Sequence, residues 1–497
     1  MQKAIKIQSK DNVAVALQKL SANEEVLLEK ERILLQEDIP AGHKFALKKL
    51  GLDTEVIKYG YPIGRTRKEI GRGEWVHTHN LRTGLEEKLE YQYNPINPII
   101  KDMPIDTEDA FFMGYRREDH TVGIRNEIWI IPTVGCVNDI ARFLEKEAKQ
   151  FLTDEVDEIV AYAHPYGCSQ LGDDQLNTQK ILTGLIRHPN AAGVLVLGLG
   201  CENNNIDEMK KILGEYQEDR MKFLVCQEWE DEIEQGLLLI QELIHYASRF
   251  QREKVHASEL IVGLKCGGSD GLSGITANPT VGGFSDRLIA VGGTTILTEV
   301  PEMFGAETIL MNRCANKDVF NKTVSLINNF KQYFIENNQP IYENPSPGNK
   351  KGGITTLEDK SLGCTQKSGT AIVEGVLEYG EVVTDKGLHL LNAPGNDLVA
   401  STALAASGAH IVLFTTGRGT PFGAPVPTVK ISSNTELYKK KHGWIDFDTG
   451  RLLDGLSLEQ MSTELYSFVL EVASGKLVKS EENGYRDLAI FKQGVTL

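Results

Sequence analysis

The alternation of continuous apolar runs with polar, helix-compatible stretches is the feature that most restricts the fold of this chain. Between about residues 110 and 250 the runs EIWIIPTVGC, EIVAYAHPYGC, GVLVLGLGC and KFLVC are each followed by such a stretch. Strands that are apolar throughout are buried on both faces, and strands that alternate with helices are joined by crossover connections. The pattern therefore predicts a mainly parallel sheet with helices on both sides.

The segments on either side of this one have different sequence patterns. Short extended runs between glycine and proline turns predict a small β-rich module over residues 1–90, and a proline-rich stretch without apolar periodicity predicts a linker over 91–109. The α/β texture returns over 251–497 with more glycine loops. We therefore expect a multidomain α/β chain, in which the β-rich module is followed by two α/β domains, 110–250 and 251–497.

Charge and cysteine usage exclude several classes of protein. The 497 residues carry a formal net charge of −16, which argues against a nucleic-acid or anionic-membrane partner because such partners need a basic face. No segment approaches the roughly 18 apolar residues of a membrane span, and the first residues lack the apolar core of a signal peptide. With seven cysteines and no CxxC pair, we expect reduced thiols and a cytoplasmic location.

Four of the cysteines follow predicted strands. Cys136, Cys168, Cys201 and Cys226 each lie at the carboxyl end of an apolar run, the edge at which open α/β sheets bind ligands. Small residues also suit tight corners after strands, and an iron or iron–sulfur site using three of the thiols is the alternative. Cluster-binding cysteines are commonly closely spaced. The wide spacing here therefore predicts that these cysteines do not bind a cluster.

Three histidines lie close together in the first eighty residues, His43 in IPAGHKF and His77 and His79 in EWVHTHN. On a strand, residues two apart point to one face, so His77 and His79 would present two imidazoles side by side. With His43 as a third ligand, the group is a candidate divalent-metal site. A solvated His-x-His on a strand edge is the alternative.

Glycine loops in the last segment carry the candidate anion-binding groups. The phrase LKCGGSDGLSGITANP places Lys265 before a glycine loop, and the loops NAPGND and TTGRGTPFGAP contain Asn392 and Arg418. Backbone N–H groups in such loops can approach an anion closely, and no loop matches a nucleotide-binding fingerprint. Each loop alone is compatible with simple turn chemistry, but three loops, two of them with a cation, favour a carboxylate pocket.

These phrases together resemble the altronate/galactarate dehydratase family over essentially the whole chain. DNVAVAL, AGHKFAL, VIKYGYPIG and GEWVHTHN are similar to its SAF-type (β-clip) module. GYRREDHTVGIRNEIWIIPTVGCVN, HPYGCSQLGDD and GLGCENN are similar to its second domain. LKCGGSDGLSGITANP, SPGNKKGGITTLEDKSLGC, NAPGND and TTGRGTPFGAP are similar to its C-terminal domain. The combination is far more specific than any one motif.

The resemblance implies that a sugar acid such as D-altronate loses water to give 2-keto-3-deoxy-D-gluconate, with iron(II) or manganese(II) as the metal. Such chemistry needs a Lewis acid for the enediolate, a general base, a general acid and a cation for the carboxylate. The candidates in this chain are His43, His77 and His79 for the metal, His164 and Lys265 for proton transfer, and Arg65, Arg125, Asn392 and Arg418 for the substrate.

Other functions stay open at this point. Within the family, galactarate dehydration or a sulfo-lyase reaction is the runner-up, followed by an iron–sulfur dehydratase. A non-catalytic sugar-acid binding protein is the rival from another class. The histidines and the glycine loops lie in different segments, so the site is expected between domains or between the subunits of a homo-oligomer.

Overall fold

A computed structural model describes residues 2–85, 89–96 and 110–497. Within residues 2–85, the strands of the N-terminal module pair antiparallel, in sheets of order β1-β2-β5-β8, β3-β4 and β6-β7-β9. The strands are β1 Ala4–Ile5, β2 Val13–Ala16, β3 Glu25–Leu28, β4 Glu31–Leu34, β5 Lys44–Ala46, β6 Glu55–Lys58, β7 Tyr61–Thr66, β8 Trp75–Val76 and β9 Leu81–Arg82. The predicted β-rich module is confirmed.

The second region contains a parallel sheet of order β13-β12-β14-β15, together with an antiparallel sheet of order β11-β10-β16. The strands are β10 Phe111–Arg116, β11 Val122–Gly123, β12 Glu127–Pro132, β13 Ile159–Ala161, β14 Ala191–Gly198, β15 Met221–Val225 and β16 Glu253–His256. The helices are α1 Asn138–Ala148, α2 Gly172–Ile186, α3 Ile206–Leu213 and α4 Glu232–Ala247.

The third region contains a seven-stranded parallel sheet of order β19-β20-β18-β17-β21-β22-β23. The strands are β17 Ile261–Cys266, β18 Thr294–Leu297, β19 Val373–Leu377, β20 Gly387–Leu391, β21 Ile411–Thr416, β22 Thr428–Ser432 and β23 Phe447–Asp448. The helices are α5 Ala277–Ala290, α6 Glu307–Met311, α7 Lys317–Glu336, α8 Pro347–Lys351, α9 Leu357–Cys364, α10 Asp397–Ala406, α11 Thr435–Lys440, α12 Leu458–Ala473 and α13 Lys479–Glu482.

Strand β12 shows why the apolar runs form buried parallel strands. Its residues alternate between two cores: Ile128 and Ile130 pack with α1 and α4 on one face, whereas Trp129 and Ile131 pack with α2 on the other. Helices α2 and α10 lie together between the two parallel sheets, so that face is a core shared by the second and third regions. The predicted parallel sheets covered by helices are confirmed.

The predicted linker 91–109 is described only over residues 91–96, and its remaining part lies outside the described residues. Within the described part, the hydroxyl of Tyr91 donates to Glu307 at 2.5 Å and that of Tyr93 donates to the carbonyl of Cys314 at 2.9 Å. This stretch therefore packs on the third region. Among the helices described, none is both long enough and apolar enough to cross a membrane.

Candidate active site and metal centre

The central strand of the seven-stranded sheet ends in a buried lysine and a buried cysteine. The ammonium group of Lys265 contacts the carboxylate of Glu299, which follows β18, and lies 2.9 Å from Oδ1 of Asp397, the first residue of α10. Burial alone would lower the pKa of Lys265, but the two carboxylates raise it above its ordinary value. Lys265 therefore stays protonated at neutral pH, which excludes a general base and suits an anion-binding cation or a donor to a strongly basic leaving group.

Glu299 adopts a left-handed backbone conformation, with φ 71° and ψ 60°. This conformation is unfavourable for a residue with a Cβ, by roughly 1–3 kcal/mol. The side chain is held by the backbone N–H of Cys266 at 2.9 Å and the ammonium group of Lys367 at 3.0 Å. Backbone strain of this kind is concentrated at functional sites.

Two thiols and one carboxylate form a compact buried group beside Lys265. Oε2 of Glu302 lies 3.1 Å from Sγ of Cys266 and 3.1 Å from Sγ of Cys364, and the two sulfur atoms are 3.3 Å apart. In the described part of the chain, this is the one group of three Cys, His, Asp or Glu side chains whose ligand atoms all lie within 4.8 Å of one another. The group could hold a metal ion.

The charges around the thiols fit a divalent cation. Three ammonium groups and three carboxylates surround them: Lys265, Lys360 and Lys367, and Glu299, Glu302 and Asp397. These six charges balance, so a dication that displaces the two thiol protons leaves the cluster neutral, and metal binding commonly releases protons in this way.

The electrostatics of Glu302 also favour a ligand that is always charged. Burial alone would raise its pKa, but the ammonium groups of Lys360, Lys265 and Lys367 together lower it well below its usual range.

A tetrahedral ion with metal–sulfur bonds of about 2.3 Å holds its sulfur ligands about 3.8 Å apart, so the thiols need to separate by only about 0.5 Å. The donor set therefore fits a metal.

Helix α9, which carries Cys364, is fixed from outside by the N-terminal module. Asp359 in this helix accepts from the ammonium groups of Lys44 at 2.8 Å and Lys58 at 3.0 Å, and all three side chains are buried. Burial alone would raise the pKa of Asp359, but the two lysines lower it below its usual range. The hydroxyl of Thr356, which caps α9, also donates to the carbonyl of Ile63. The site therefore lies where the module meets the third region.

One glycine loop after β17 serves this contact. A Cβ added to Gly271 would lie 1.9 Å from the carbonyl oxygen of Gly42, and one added to Gly353 would lie 2.3 Å from the same atom. Only glycine permits these two approaches. This loop therefore brings the module close, a packing role that the expectation of an anion-binding loop did not include.

The predicted histidine site is partly assembled. The ring centroids of His43 and His77 are 4.9 Å apart, and each histidine ring lies 5.3 Å from the ring of Trp75. Nδ1 of His43 accepts from the indole N–H of Trp75 at 3.2 Å, and Nε2 therefore donates to the carbonyl of Lys351 at 3.2 Å. Since both ring nitrogens of His43 are engaged, it can bind a metal only by giving up one of these hydrogen bonds.

The prediction that His77 and His79 lie on one face of a strand is wrong. Strand β8 ends at Val76, and both histidines lie in the turn before β9, where His77 is buried and His79 is exposed. Burial lowers the pKa of His77 to about 3, so its ring is neutral, and Nδ1 lies 3.2 Å from the hydroxyl of Thr355. Their role as metal ligands stays a prediction.

Two of the predicted carboxylate-binding arginines are occupied elsewhere. Arg65, which is 40% exposed, pairs with Asp53 at 3.4 Å and Glu55 at 3.1 Å within the N-terminal module. Arg125 is buried and makes a bidentate pair with Glu481, at 2.8 and 2.9 Å. Both guanidinium groups have protein partners that match a structural role.

The other two predicted substrate-binding residues lie at the carboxyl edge of the large sheet. Asn392 follows β20, and its amide donates to Glu378 at 2.9 Å. Arg418 follows β21, is exposed and lies against Gly268, and no described residue pairs with its guanidinium group. Arg418 is thus available to a ligand at the edge where Lys265 ends its strand.

His164 lies in the second region and is engaged on both sides of its ring. Nε2 donates to the carbonyl of Pro132 at 2.7 Å, and Nδ1 accepts from the backbone N–H of Tyr166 at 3.2 Å. Burial lowers its pKa to about 4. His164 therefore holds two loops together and lacks a free nitrogen for proton transfer.

Most of the charged cluster was missed in the sequence. The residues not identified as candidates are Cys266, Glu299, Glu302, Lys360, Cys364, Lys367, Asp397 and Asp359. One signal was present: Lys360 and Cys364 are four residues apart in LEDKSLGC and share a helix face. The carboxylates follow strands, but no motif connects them.

A cavity lies away from the group of Lys265, Cys266, Glu302 and Cys364. It has a volume of about 740 Å³ and opens at the amino ends of β15, β17 and β21, next to Arg220 and His188. Arg220 is satisfied there by carbonyl oxygens, including that of His188 at 2.9 Å. Because α/β sheets bind ligands at the carboxyl edge, the charged cluster is the better candidate site.

Three family models match successive parts of the chain. Residues 2–84 match the altronate/galactarate dehydratase SAF domain, 114–248 the D-galactarate dehydratase/altronate hydrolase second domain, and 257–496 the D-galactarate/altronate dehydratase C-terminal domain.

Curated relatives match over almost their full length. An altronate dehydratase of Bacillus subtilis is 54% identical over 503 residues, covering 100% of both chains. An altronate dehydratase of Escherichia coli is 52% identical, covering 99% of both. The galactarate dehydratase (L-threo-forming) of Escherichia coli is 33% identical over 95% of this chain and 93% of its own. The chain therefore belongs to the altronate/galactarate dehydratase family.

Proposed function

We propose that this chain is a hydro-lyase that dehydrates D-altronate to 2-keto-3-deoxy-D-gluconate. The observation that carries the proposal is the 52–54% identity, over the whole chain, to two altronate dehydratases, against 33% to a galactarate dehydratase. The charged cluster supplies groups that such a reaction needs. The substrate is a small sugar acid, and neither a nucleic acid nor a membrane takes part.

The elimination removes the proton at C2 and the hydroxyl group at C3. Lys265 is protonated and buried among carboxylates, so it is the candidate to donate a proton to the departing hydroxyl. Arg418 is the candidate to hold the substrate carboxylate, because it is exposed at the same edge and guanidinium pairs with carboxylate in a bidentate manner. The side chain of Asp397 is 35% exposed, so the cluster is open to solvent on that side.

The proposed cofactor is a divalent metal, iron(II) or manganese(II), held by Cys266, Glu302 and Cys364. The metal supplies a Lewis acid that offsets the negative charge developing as the proton beside the carboxylate leaves. Thiolate ligands suit iron better than manganese, which prefers oxygen donors. The donor set thus favours iron(II).

The location of the reaction is proposed to be the cytoplasm. All seven cysteines are unpaired, even though Cys266 and Cys364 have their sulfur atoms 3.3 Å apart. Unpaired thiols are typical of a reducing compartment.

Substitution of the thiols is expected to separate the two candidate metal sites. Cys266→Ser and Cys364→Ser should each lower the mononuclear iron, counted as iron in excess of acid-labile sulfide, at least tenfold and lower turnover with it, since a neutral hydroxyl is a poor ligand. His77→Ala and His79→Ala are the matched variants in the N-terminal module. Metal analysis of anaerobically purified proteins measures the iron, an assay with D-altronate measures turnover, and circular dichroism checks that the fold is kept. Full iron in the cysteine variants, with loss in the histidine variants, would return the metal to His43, His77 and His79.

Substrate preference tests the proposed function directly. Galactarate has a second carboxylate, which needs a cation at the far end of the pocket, and an unpaired buried charge costs several kcal/mol. We expect kcat/KM for D-altronate to exceed that for galactarate by at least about 100-fold, or about 2.7 kcal/mol. Assays of both acids with the iron-loaded enzyme measure it. Equal rates, or a preference for galactarate or for sulfolactate, would place the chain elsewhere in the family.

A further inference from the structure

Three exposed cysteines follow three adjacent parallel strands of the second region. Cys136 follows β12, Cys168 follows β13 and Cys201 follows β14, and these strands are neighbours in the order β13-β12-β14. All three thiols are exposed. Unpaired cysteine is among the most buried residue types in proteins. Three exposed thiols at one sheet edge are therefore not explained by packing.

Hydrogen bonds bind the three loops to one another next to the cysteines. The backbone N–H of Gly135 donates to the carbonyl of Tyr166 at 2.9 Å, and that of Asn204 donates to the carbonyl of Gly167 at 3.0 Å. The side-chain amide of Asn204 also donates to the carbonyl of Thr133 at 3.0 Å. Cys136, Cys168 and Cys201 are thus carried on a single group of loops.

A glycine precedes each of these cysteines, and two of the glycines make very close contacts between loops. A Cβ added to Gly135 would lie 2.8 Å from the carbonyl oxygen of His164, and one added to Gly167 would lie 1.9 Å from that of Thr133. Gly200, before Cys201, has a φ of +130°. The glycines therefore allow the three loops that carry the thiols to approach one another.

The fourth cysteine at this edge shows the contrast. Cys226 follows β15 and is buried, and burial raises its pKa to about 11, so it stays a neutral thiol. Cys136, by comparison, is exposed and lies two residues before helix α1. Sγ of Cys201 accepts a hydrogen bond from the side-chain amide of Gln227 at 3.6 Å. Hydrogen bonds to sulfur are a feature of cysteines that hold clusters.

The arrangement is too open for a single ion. The three sulfur atoms do not all lie within 4.8 Å of one another, unlike those of the Cys266, Glu302 and Cys364 group. Iron–sulfur clusters are larger than a single ion and are held by cysteine thiolates. Exposure leaves one face of such a cluster open to solvent.

We propose that Cys136, Cys168 and Cys201 together bind an iron–sulfur cluster with one iron left without a protein thiolate. This inference is independent of the proposed dehydration, because it rests on the second region and not on the charged cluster at β17. It also reverses the expectation from sequence spacing, since the parallel sheet brings together thiols that are more than thirty residues apart in the chain. His164 is then a positioning residue, because it holds the loop that carries Cys168.

The test uses the full chain, purified without oxygen from cells that assemble clusters. The expected result is about four acid-labile sulfide and about five iron per chain, four iron in the cluster and one at the Cys266, Glu302 and Cys364 group, with the visible absorption of a cluster. Cys136→Ser, Cys168→Ser and Cys201→Ser should each lower sulfide at least tenfold while the far-UV circular dichroism stays unchanged, because the side chains are exposed. Cys226→Ser and Cys266→Ser are the matched controls and should keep the sulfide.

Two outcomes would overturn the inference. The first is protein isolated anaerobically without acid-labile sulfide, including protein that contains only zinc or mononuclear iron at these thiols. The second is sulfide that is unchanged in the three variants or is lost equally in the Cys226→Ser control. Neither outcome bears on turnover of D-altronate, so failure here is distinguishable from failure of the proposed function.

Discussion

Removal of the metal is expected to abolish turnover of D-altronate, and iron(II) is expected to restore it. Without a Lewis acid, the charge that develops beside the carboxylate is left to Lys265 and Arg418, and a metal contributes several kcal/mol to that step. The expected loss is at least about 1,000-fold, or about 4 kcal/mol. Anaerobic treatment with a chelator, followed by single additions of iron(II), manganese(II) or zinc(II), measures it.

The order of reactivation carries further information. Two thiol ligands predict that iron(II) restores more activity than manganese(II) at equal concentration. Cys266→Ser serves as the control, since it should not be reactivated by either metal. Full turnover in rigorously metal-free protein would falsify the metal-dependent mechanism. If iron is also present as a cluster, comparison with Cys168→Ser separates the two contributions.

Replacement of Asp359 is expected to cause the largest loss of stability. Asp359→Asn removes the negative charge that pairs with both lysines. The ammonium groups of Lys44 and Lys58 are then left buried side by side without a counter-charge from this residue. Breaking a buried ion pair in this way costs about 3–5 kcal/mol, because the remaining charges stay desolvated. Urea unfolding followed by tryptophan fluorescence measures the change in midpoint.

An exposed aspartate in the N-terminal module provides the matched control. Asp53 pairs with Arg65 and Arg82 but is 54% exposed, so Asp53→Asn is expected to cost no more than about 1 kcal/mol. A similar small effect for Asp359→Asn would show that the three buried charges do not hold the module to helix α9.

The pH dependence of this contact follows from the lowered pKa of Asp359. The pKa is lower in the folded than in the unfolded chain, so the carboxylate contributes stability above the unfolded value of about 3.9. That contribution is lost as the pH falls through the folded pKa. Asp359→Asn should therefore lose less stability on acidification than the unchanged protein does.

The sequence by itself determined the classes of structure. Apolar runs that alternate with helices form strands buried on both faces, and such strands are typical of parallel sheets. Strand β12 shows this, because Ile128 and Trp129 lie in the two cores on its opposite faces. Short strands between glycine and proline turns likewise specified the antiparallel module. Lys265 was identified because a cation that precedes a glycine loop at a strand end is a local pattern.

Only the tertiary structure decided which side chains meet. Cys266, Glu302 and Cys364 are separated by 36 and 62 residues, and no local periodicity connects them. The histidines looked like a strand motif because two-residue spacing is ambiguous between a strand and a turn, and β8 ends before them. Arg65 and Arg125 were indistinguishable from Arg418 in sequence, since Arg65 pairs with Glu55 across the β6–β7 strands and Arg125 pairs with Glu481, 356 residues away. Charge partners are a property of packing, and packing is set by contacts between residues that are remote in the chain.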